Sequence, residues 1–185
     1  MIVTIKRLTN WDLVVKSAYR TVNKEPAPGM AFPKDSWKFR MLRAEHSPLR
    51  CLLFYITLED IPYFVMSHLV RHHEGVTPFV GTSREDRTGI PRSERKQDDL
   101  VNLDLLINAQ AILNISYQRL CSKADPETIH LWKMVKEEMD KVDPILAQMM
   151  VPKCIHQGYC PERSSCGYIN LPKAQDELSR YRWIS

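Results

Sequence analysis

The run Leu49–Leu58, LRCLLFYITL, constrains this chain more than any other stretch. It is apolar at nearly every position and rich in β-formers, so it reads as a strand covered on both faces. A strand of that kind needs layers on either side, and the apolar content of 44% can supply them. That content also excludes a disordered chain. With 185 residues the core belongs to one domain, or two at most. No run approaches the roughly 20 apolar residues of a membrane span. The opening MIVTIKRL lacks the apolar block and cleavage site of a secretion signal. These features predict a cytoplasmic protein with no membrane partner. The net charge of +4 is too mild to indicate a nucleic-acid polymer as ligand.

Around that strand the pattern is a few strands followed by helices, hence an α+β fold. Ile2–Leu8 reads as a first strand, and Asn10 as the cap of a helix reaching about Asn23. The stretch 24–36 is a proline-rich loop, and Ser36 is placed to cap a short helix. Asp60 and Pro62 supply an N-cap and first-turn proline for a helix running on to His72. Gly75–Gly81 suits a short strand or extended loop, and Thr82–Asp99 an exposed charged loop. Apolar spacing predicts one long helix over Leu100–Cys121. Asp125-Pro126 and Asp143-Pro144 open two more helices. We divide the chain into a main domain, 1–152, and a cysteine-containing tail, 153–185, packed on it.

Four constellations carry chemistry. His68, Arg71 and His72 share one face if the helix continues through them. They suit a solvated helix end, an anion or cofactor site, or a metal; no Glu stands between the histidines as in the metalloprotease motif. Gly81-Thr-Ser-Arg84, with Arg87, offers hydroxyls and guanidinium forks that fit a phosphate, or an ordinary charged loop. Asn108, Gln110, Asn114 and Arg119 put polar groups on a largely apolar helix, where they need backbone or heteroaromatic partners. Cys154, His156, Cys160 and Cys166 are soft ligands, but not at the C-x2-C spacing of most structural zinc sites. With Cys51 and Cys121, Cys154, Cys160 and Cys166 make five cysteines, an odd set that suits thiols in a reducing compartment. We assign no metal.

In this order, the blocks resemble the flavin-dependent thymidylate synthase family, whose signature is RHRxxSxNExSxR. Arg71-His72-His73 opens the matching stretch and Thr82-Ser83-Arg84 closes it, with one residue inserted. His73 stands for the third-position Arg, and Phe79–Gly81 replace the Asn-Glu pair. Upstream, Ser47-Pro48-Leu49 precedes the aromatic strand as in the family, with Arg50 and His68 where members carry Glu and Gln. The best local match is Asn108-Ala-Gln110-Ala-Ile-Leu-Asn114, followed by Arg119-Leu120; Gln110 replaces an Arg. The tail also resembles a C-terminal extension of some members. The resemblance covers about residues 45 to 166.

It implies a central mixed sheet flanked by long helices, in a homotetramer with active sites shared between subunits. It also implies FAD as cofactor, dUMP as substrate, methylenetetrahydrofolate as one-carbon donor and NADPH as reductant, making dTMP. On this reading Arg119 and Ser83 are catalytic. His68, Arg71, Thr82, Ser83, Arg84, Arg92 and Arg119 hold the nucleotide. Arg71, His72, His73, Asn108, Gln110 and Asn114 hold the flavin. No cysteine nucleophile is required. The charge changes at Arg50, His68 and the missing Asn-Glu pair leave room for another pyrimidine nucleotide or a hydroxymethyl product. Two further classes compete: a nucleotide-binding protein without catalysis, and a metal- or nucleic-acid-binding module using His68, His72 and the cysteines.

Overall fold

The computed structural model describes residues 1–27, 29 and 32–183, without the side chain of 183. Pro28, Met30 and Ala31, in the proline-rich loop, lie outside the described residues, as do Ile184 and Ser185 of the tail. The fold is α+β. Four strands form one sheet in the order β1-β2-β4-β3: β1 (Ile2–Arg7), β2 (Leu53–Pro62), β3 (Val76–Val80) and β4 (Leu100–Asn108). Every pairing is antiparallel, where the resemblance implied a mixed sheet.

The apolar run divides at its start. Pro48 sits in the first turn of a 3-10 segment, Ser47–Cys51, and the strand begins only at Leu53. The Thr9 hydroxyl holds this junction, donating to the Cys51 carbonyl at 2.6 Å and accepting from the Leu53 amide at 2.8 Å. One face of β2 is fully buried through Phe54, Ile56 and Leu58, while Leu53, Tyr55 and Thr57 on the other are half-buried. The expected cover on both faces is therefore incomplete. On the open face Tyr55 stacks on Phe79 at 6.4 Å between ring centroids and donates to Asp104 at 3.0 Å.

The predicted helix over Leu100–Cys121 is half strand. Val101, Leu103, Leu105 and Ile107 point one way, pairing with β2 and β3, and Asn102, Asp104, Leu106 and Asn108 the other. Leu103 and Ile107 satisfy helical and alternating spacing alike, which is why apolar positions alone misled. The helix proper, α5 in the numbering that follows, begins after Asn108. The helices are α1 (Trp11–Arg20), α2 (Asp35–Arg43), α3 (Tyr63–Leu69), α4 (Glu85–Thr88), α5 (Ala109–Arg119), α6 (Pro126–Val142), α7 (Pro144–Met149), α8 (Lys153–Gln157) and α9 (Pro172–Trp183). Asn10 takes the N-cap position of α1 as predicted, although its side chain makes no capping bond, whereas Ser36 lies inside α2. Asp60, expected to cap α3, instead lies in a bulge of β2 at φ +54, its amide held by the Asn102 side chain. The helix it was to cap stops at Leu69, so Arg71 and His72 fall in the turn beyond it.

Asp125 and Asp143 cap α6 and α7 as their Asp-Pro pairs predict, accepting from Thr128 and Leu146. Asp143, only 3% exposed, also accepts from the Trp11 indole at 2.8 Å and pairs with Arg7 at 3.3 Å. Buried Ser116 is satisfied twice, by the Ile112 carbonyl and the Trp132 indole. Residues 153–183 pack α8 against α5, and α9 against α8.

The β4–α5 corner is closely packed. The Asn108 side chain accepts from the Ala111 amide at 2.9 Å, its backbone amide donates to Gly75, and the next amide donates to Leu52. Gly75 has φ +72, and a Cβ there would lie 2.3 Å from the Asn108 side-chain nitrogen. Gly75→Ala is expected to cost about 1–3 kcal/mol through this strain. Urea denaturation monitored by tryptophan fluorescence measures it, and an unchanged midpoint would show that the corner can relax.

Candidate active site

Arg71, His72, His73 and Glu74 from the turn after α3 face Ala111, Asn114, Ile115, Gln118 and Arg119 of α5 across a cavity of about 640 Å³. That volume lies within the usual range for small-molecule sites. Asn108 caps α5 at one end, and Arg119 closes it at the other, eleven residues on and about three turns away.

Arg119 is held by two contacts. Its Nη2 donates to the His68 carbonyl at 2.7 Å, and its Nε donates to His72 Nε2 at 3.3 Å. The second bond needs an unprotonated His72 nitrogen. Burial, Arg119 and His73 push His72 down to about 4, so its imidazole is neutral at physiological pH. Burial and neighbouring Arg71 also lower Arg119. Two guanidinium groups thus crowd one cavity in which Glu74 is the one lining carboxylate. An anion would relieve that repulsion and gain charge-assisted bonds.

The remaining sequence-predicted residues are distributed as follows. The His68 side chain turns away from the cavity and bonds the Thr128 hydroxyl of α6 at 2.9 Å. Gln110 donates to Glu45 at 2.8 Å and to Asn114 at 3.2 Å. Asn108 spends its oxygen on the cap. Thr82, Ser83 and Arg84 lie beyond the far end of β3. Since Val76 pairs with Ile107 and Val80 with Leu103, the strand runs away from the Asn108 corner. Six residue steps from Gly75 to Gly81 span roughly 20 Å. Arg84 forms a bidentate pair with Asp86, with both side chains exposed, and Arg92 lies in the same excursion within a 3-10 turn, Arg92–Glu94. One chain therefore gathers Arg71, His72, His73, Asn114 and Arg119, and keeps Thr82, Ser83, Arg84 and Arg92 apart from them.

Sequence reasoning missed Glu45 entirely. Held at φ +47 just after α2, it accepts from Gln110 and from Tyr117 (2.8 Å) and approaches His156 Nε2 at 3.3 Å. His156 stacks on Tyr117 and bonds the Tyr181 hydroxyl. These residues come from four distant segments, so no local motif could reveal them.

No family model matches the sequence, and no curated protein matches it. Solved structures do match. Thymidylate synthase X from Helicobacter pylori with FAD and dUMP superposes with a TM-score of 0.64 at 13% identity, covering 82% of this chain and 99% of that one. A second structure of the H. pylori flavin-dependent enzyme, also with FAD and dUMP, gives 0.63 at 13%, covering 82% and 100%. A UMP/dUMP methylase, PolB from Streptomyces cacaoi bound with 5-Br dUMP, gives 0.55 at 14%, covering 80% and 94%. The chain has the flavin-dependent thymidylate synthase fold. Among the described residues no helix is long and apolar enough to cross a membrane.

Because His72 is depressed from its ordinary 6.5 to about 4, the unfolded chain binds the extra proton first as pH falls. Stability supplied by neutral His72 is full above about 6.5 and is lost progressively down to about 4. Urea midpoints at pH 7 and pH 5 should differ less in His72→Gln than in the parent chain. An equal drop in both would place the sensitivity elsewhere.

Proposed function

We propose that this protein is a flavin-dependent pyrimidine nucleotide C5-methyltransferase, turning dUMP into dTMP in the cytoplasm. The observation that carries the reading is the cavity itself: Arg119 and Arg71, short of anionic partners, beside a neutral His72, in a fold whose solved examples hold FAD and dUMP. On this reading methylenetetrahydrofolate supplies the carbon, and NADPH the reducing equivalents.

The residues fit such ligands by charge. Arg71, His72, His73 and Asn114 would hold the FAD, with Asn108 and Gln110 setting the helix that presents Asn114. FAD, when bound, supplies the hydride chemistry. Arg119 would face the pyrimidine carbonyls and stabilise the negative charge that develops as C5 becomes nucleophilic. Its tether to the His68 carbonyl fixes its reach before substrate arrives, so little reorganisation is needed. Through that carbonyl, rather than its ring, His68 enters the site.

Thr82, Ser83, Arg84 and Arg92 would hold the nucleotide phosphate and sugar, Ser83 closest to the reacting base. Their separation from Arg119 within one chain supports a site completed by a second copy, within a homotetramer. Arg84 would exchange its exposed partner Asp86 for phosphate at little cost. A second reading rests on Phe79-Val80-Gly81, which put an exposed aromatic where the family has a carboxylate and amide. That change favours a different pyrimidine nucleotide or a hydroxymethyl product.

Absorbance spectra with added FAD should show flavin bands that shift on adding dUMP, and mass spectrometry should find dTMP once folate and NADPH are present. A protein that retains no FAD would sink the reading, and a 5-hydroxymethyl product would select the second. Arg119→Ala should abolish turnover. Arg84→Ala should weaken nucleotide binding by about 1.5–3 kcal/mol. If sites are shared, refolding the two variants together should recover part of the activity that each lacks at low dUMP, because some sites then combine an intact Arg119 with an intact Arg84. No recovery would mean that each chain builds its own site.

A further inference from the structure

Glu45 sits at φ +47, in the left-handed region that is costly for a residue with a side chain. Groups from α5 and α8 converge on its carboxylate there. Gln110 Nε2 donates to Oε2 at 2.8 Å, and the Tyr117 hydroxyl donates to Oε1 at 2.8 Å. His156 Nε2 stands 3.3 Å from Oε1. The His156 ring is anchored in turn, by stacking on Tyr117 and by a 2.8 Å bond to the Tyr181 hydroxyl. Tyr117 and Tyr181 are 7% and 5% exposed, so this is a largely buried polar network in which each contact fixes the next. Neither Glu45 nor Gln110 lines the cavity between Arg71 and Arg119.

The network nevertheless reaches that cavity through one atom. An amide side chain can face a given partner with its donor nitrogen or its acceptor oxygen, and only its hydrogen bonds choose between them. A carboxylate accepts and does not donate, so Gln110 must turn Nε2 toward Glu45. The second hydrogen on that nitrogen is then directed one turn along α5, to Asn114 Oδ1 at 3.2 Å. With its oxygen so used, Asn114 keeps Nδ2 for the cavity it lines. Among the described residues no acceptor meets that nitrogen. If Gln110 were reversed, Asn114 would reverse with it and offer an acceptor at the same place.

We propose that Glu45 is a positioning residue of the cofactor site: acting through Gln110, its carboxylate sets the Asn114 amide as a hydrogen-bond donor to a carbonyl oxygen or ring nitrogen of the flavin. The identity of that acceptor as flavin rests on the proposed function; the orientation of Asn114 does not. A ligand edge that itself donates is disfavoured here, because it would meet the Asn114 donor and leave both unpaired.

Two measurements test the orientation and the ligand separately. In the full chain without flavin, NMR of isotope-labelled glutamine and asparagine side chains should show slow hydrogen exchange at Gln110 Nε2 and fast exchange at Asn114 Nδ2. Glu45→Ala should speed the Gln110 exchange by about tenfold, as loss of a hydrogen bond requires. Fast exchange at Gln110 in the parent chain, or none gained in Glu45→Ala, would overturn the proposal. Titration with FAD, followed by flavin fluorescence, reads the ligand. Asn114→Ala and Glu45→Ala should each weaken FAD binding about three- to tenfold, the range of one neutral hydrogen bond. Because Glu45 acts through Asn114, the double variant should bind within about twofold of Asn114→Ala alone. Losses that multiply would make Glu45 a support of the fold only and overturn the proposal, as would full affinity in Glu45→Ala. Circular dichroism checks that the variants fold. If Glu45→Ala does not, Gln110→Leu removes the same donor and takes its place in the binding cycle with the same expectation. A parent chain with the expected exchange that binds no FAD would uphold the orientation and sink only the flavin reading.

Discussion

The β4–α5 corner is the constraint from which the site is built. Asn108 ends a strand, caps a helix and receives Gly75 against its side chain in one place. A capping bond of this kind is worth about 0.5–2 kcal/mol in stability. Its larger consequence is directional. It sets where α5 leaves the sheet, and so where Arg119 arrives about three turns later. It also pins the turn after α3, because Gly75 and His72 belong to the same short connection. Both walls of the cavity therefore descend from one joint.

That joint brings cations together. Arg71 and Arg119 repel across the cavity, and the fold holds Arg119 through neutral partners. The His68 carbonyl and the unprotonated His72 nitrogen accept from Arg119 without adding charge. A carboxylate in their place would hold Arg119 more tightly and cancel the attraction for an anionic ligand. Asp143 illustrates the opposite arrangement: buried, capping α7, and answered by both Arg7 and Trp11. The first cluster leaves charge for a ligand, and the second spends all of its charge on holding the fold.

Some features were legible because they depend on near neighbours in the chain. The Asp-Pro pairs announced α6 and α7, since cap and proline act within one turn. The β2 strand was legible in outline, although Pro48 held back its start. Leu100–Asn108 was not, because its apolar positions satisfy two periods and only pairing with β2 and β3 selects the strand. The His68–Arg71–His72 face failed for a related reason. It assumed a helix that ends at Leu69, and His68 turned to Thr128, sixty residues away.

By itself the sequence determined the α+β class, the residue types of the cavity and the order in which they occur, because composition, caps and motif spacing are local properties. Tertiary structure decided which of those residues meet. It joined Arg119 to His72 and left Thr82–Arg84 at the other end of a strand, since an extended segment separates its ends by a few ångströms per residue. It tied Gln110 to Glu45 and stacked His156 on Tyr117. Contacts between distant segments depend on how layers pack, and no spacing along the chain encodes that.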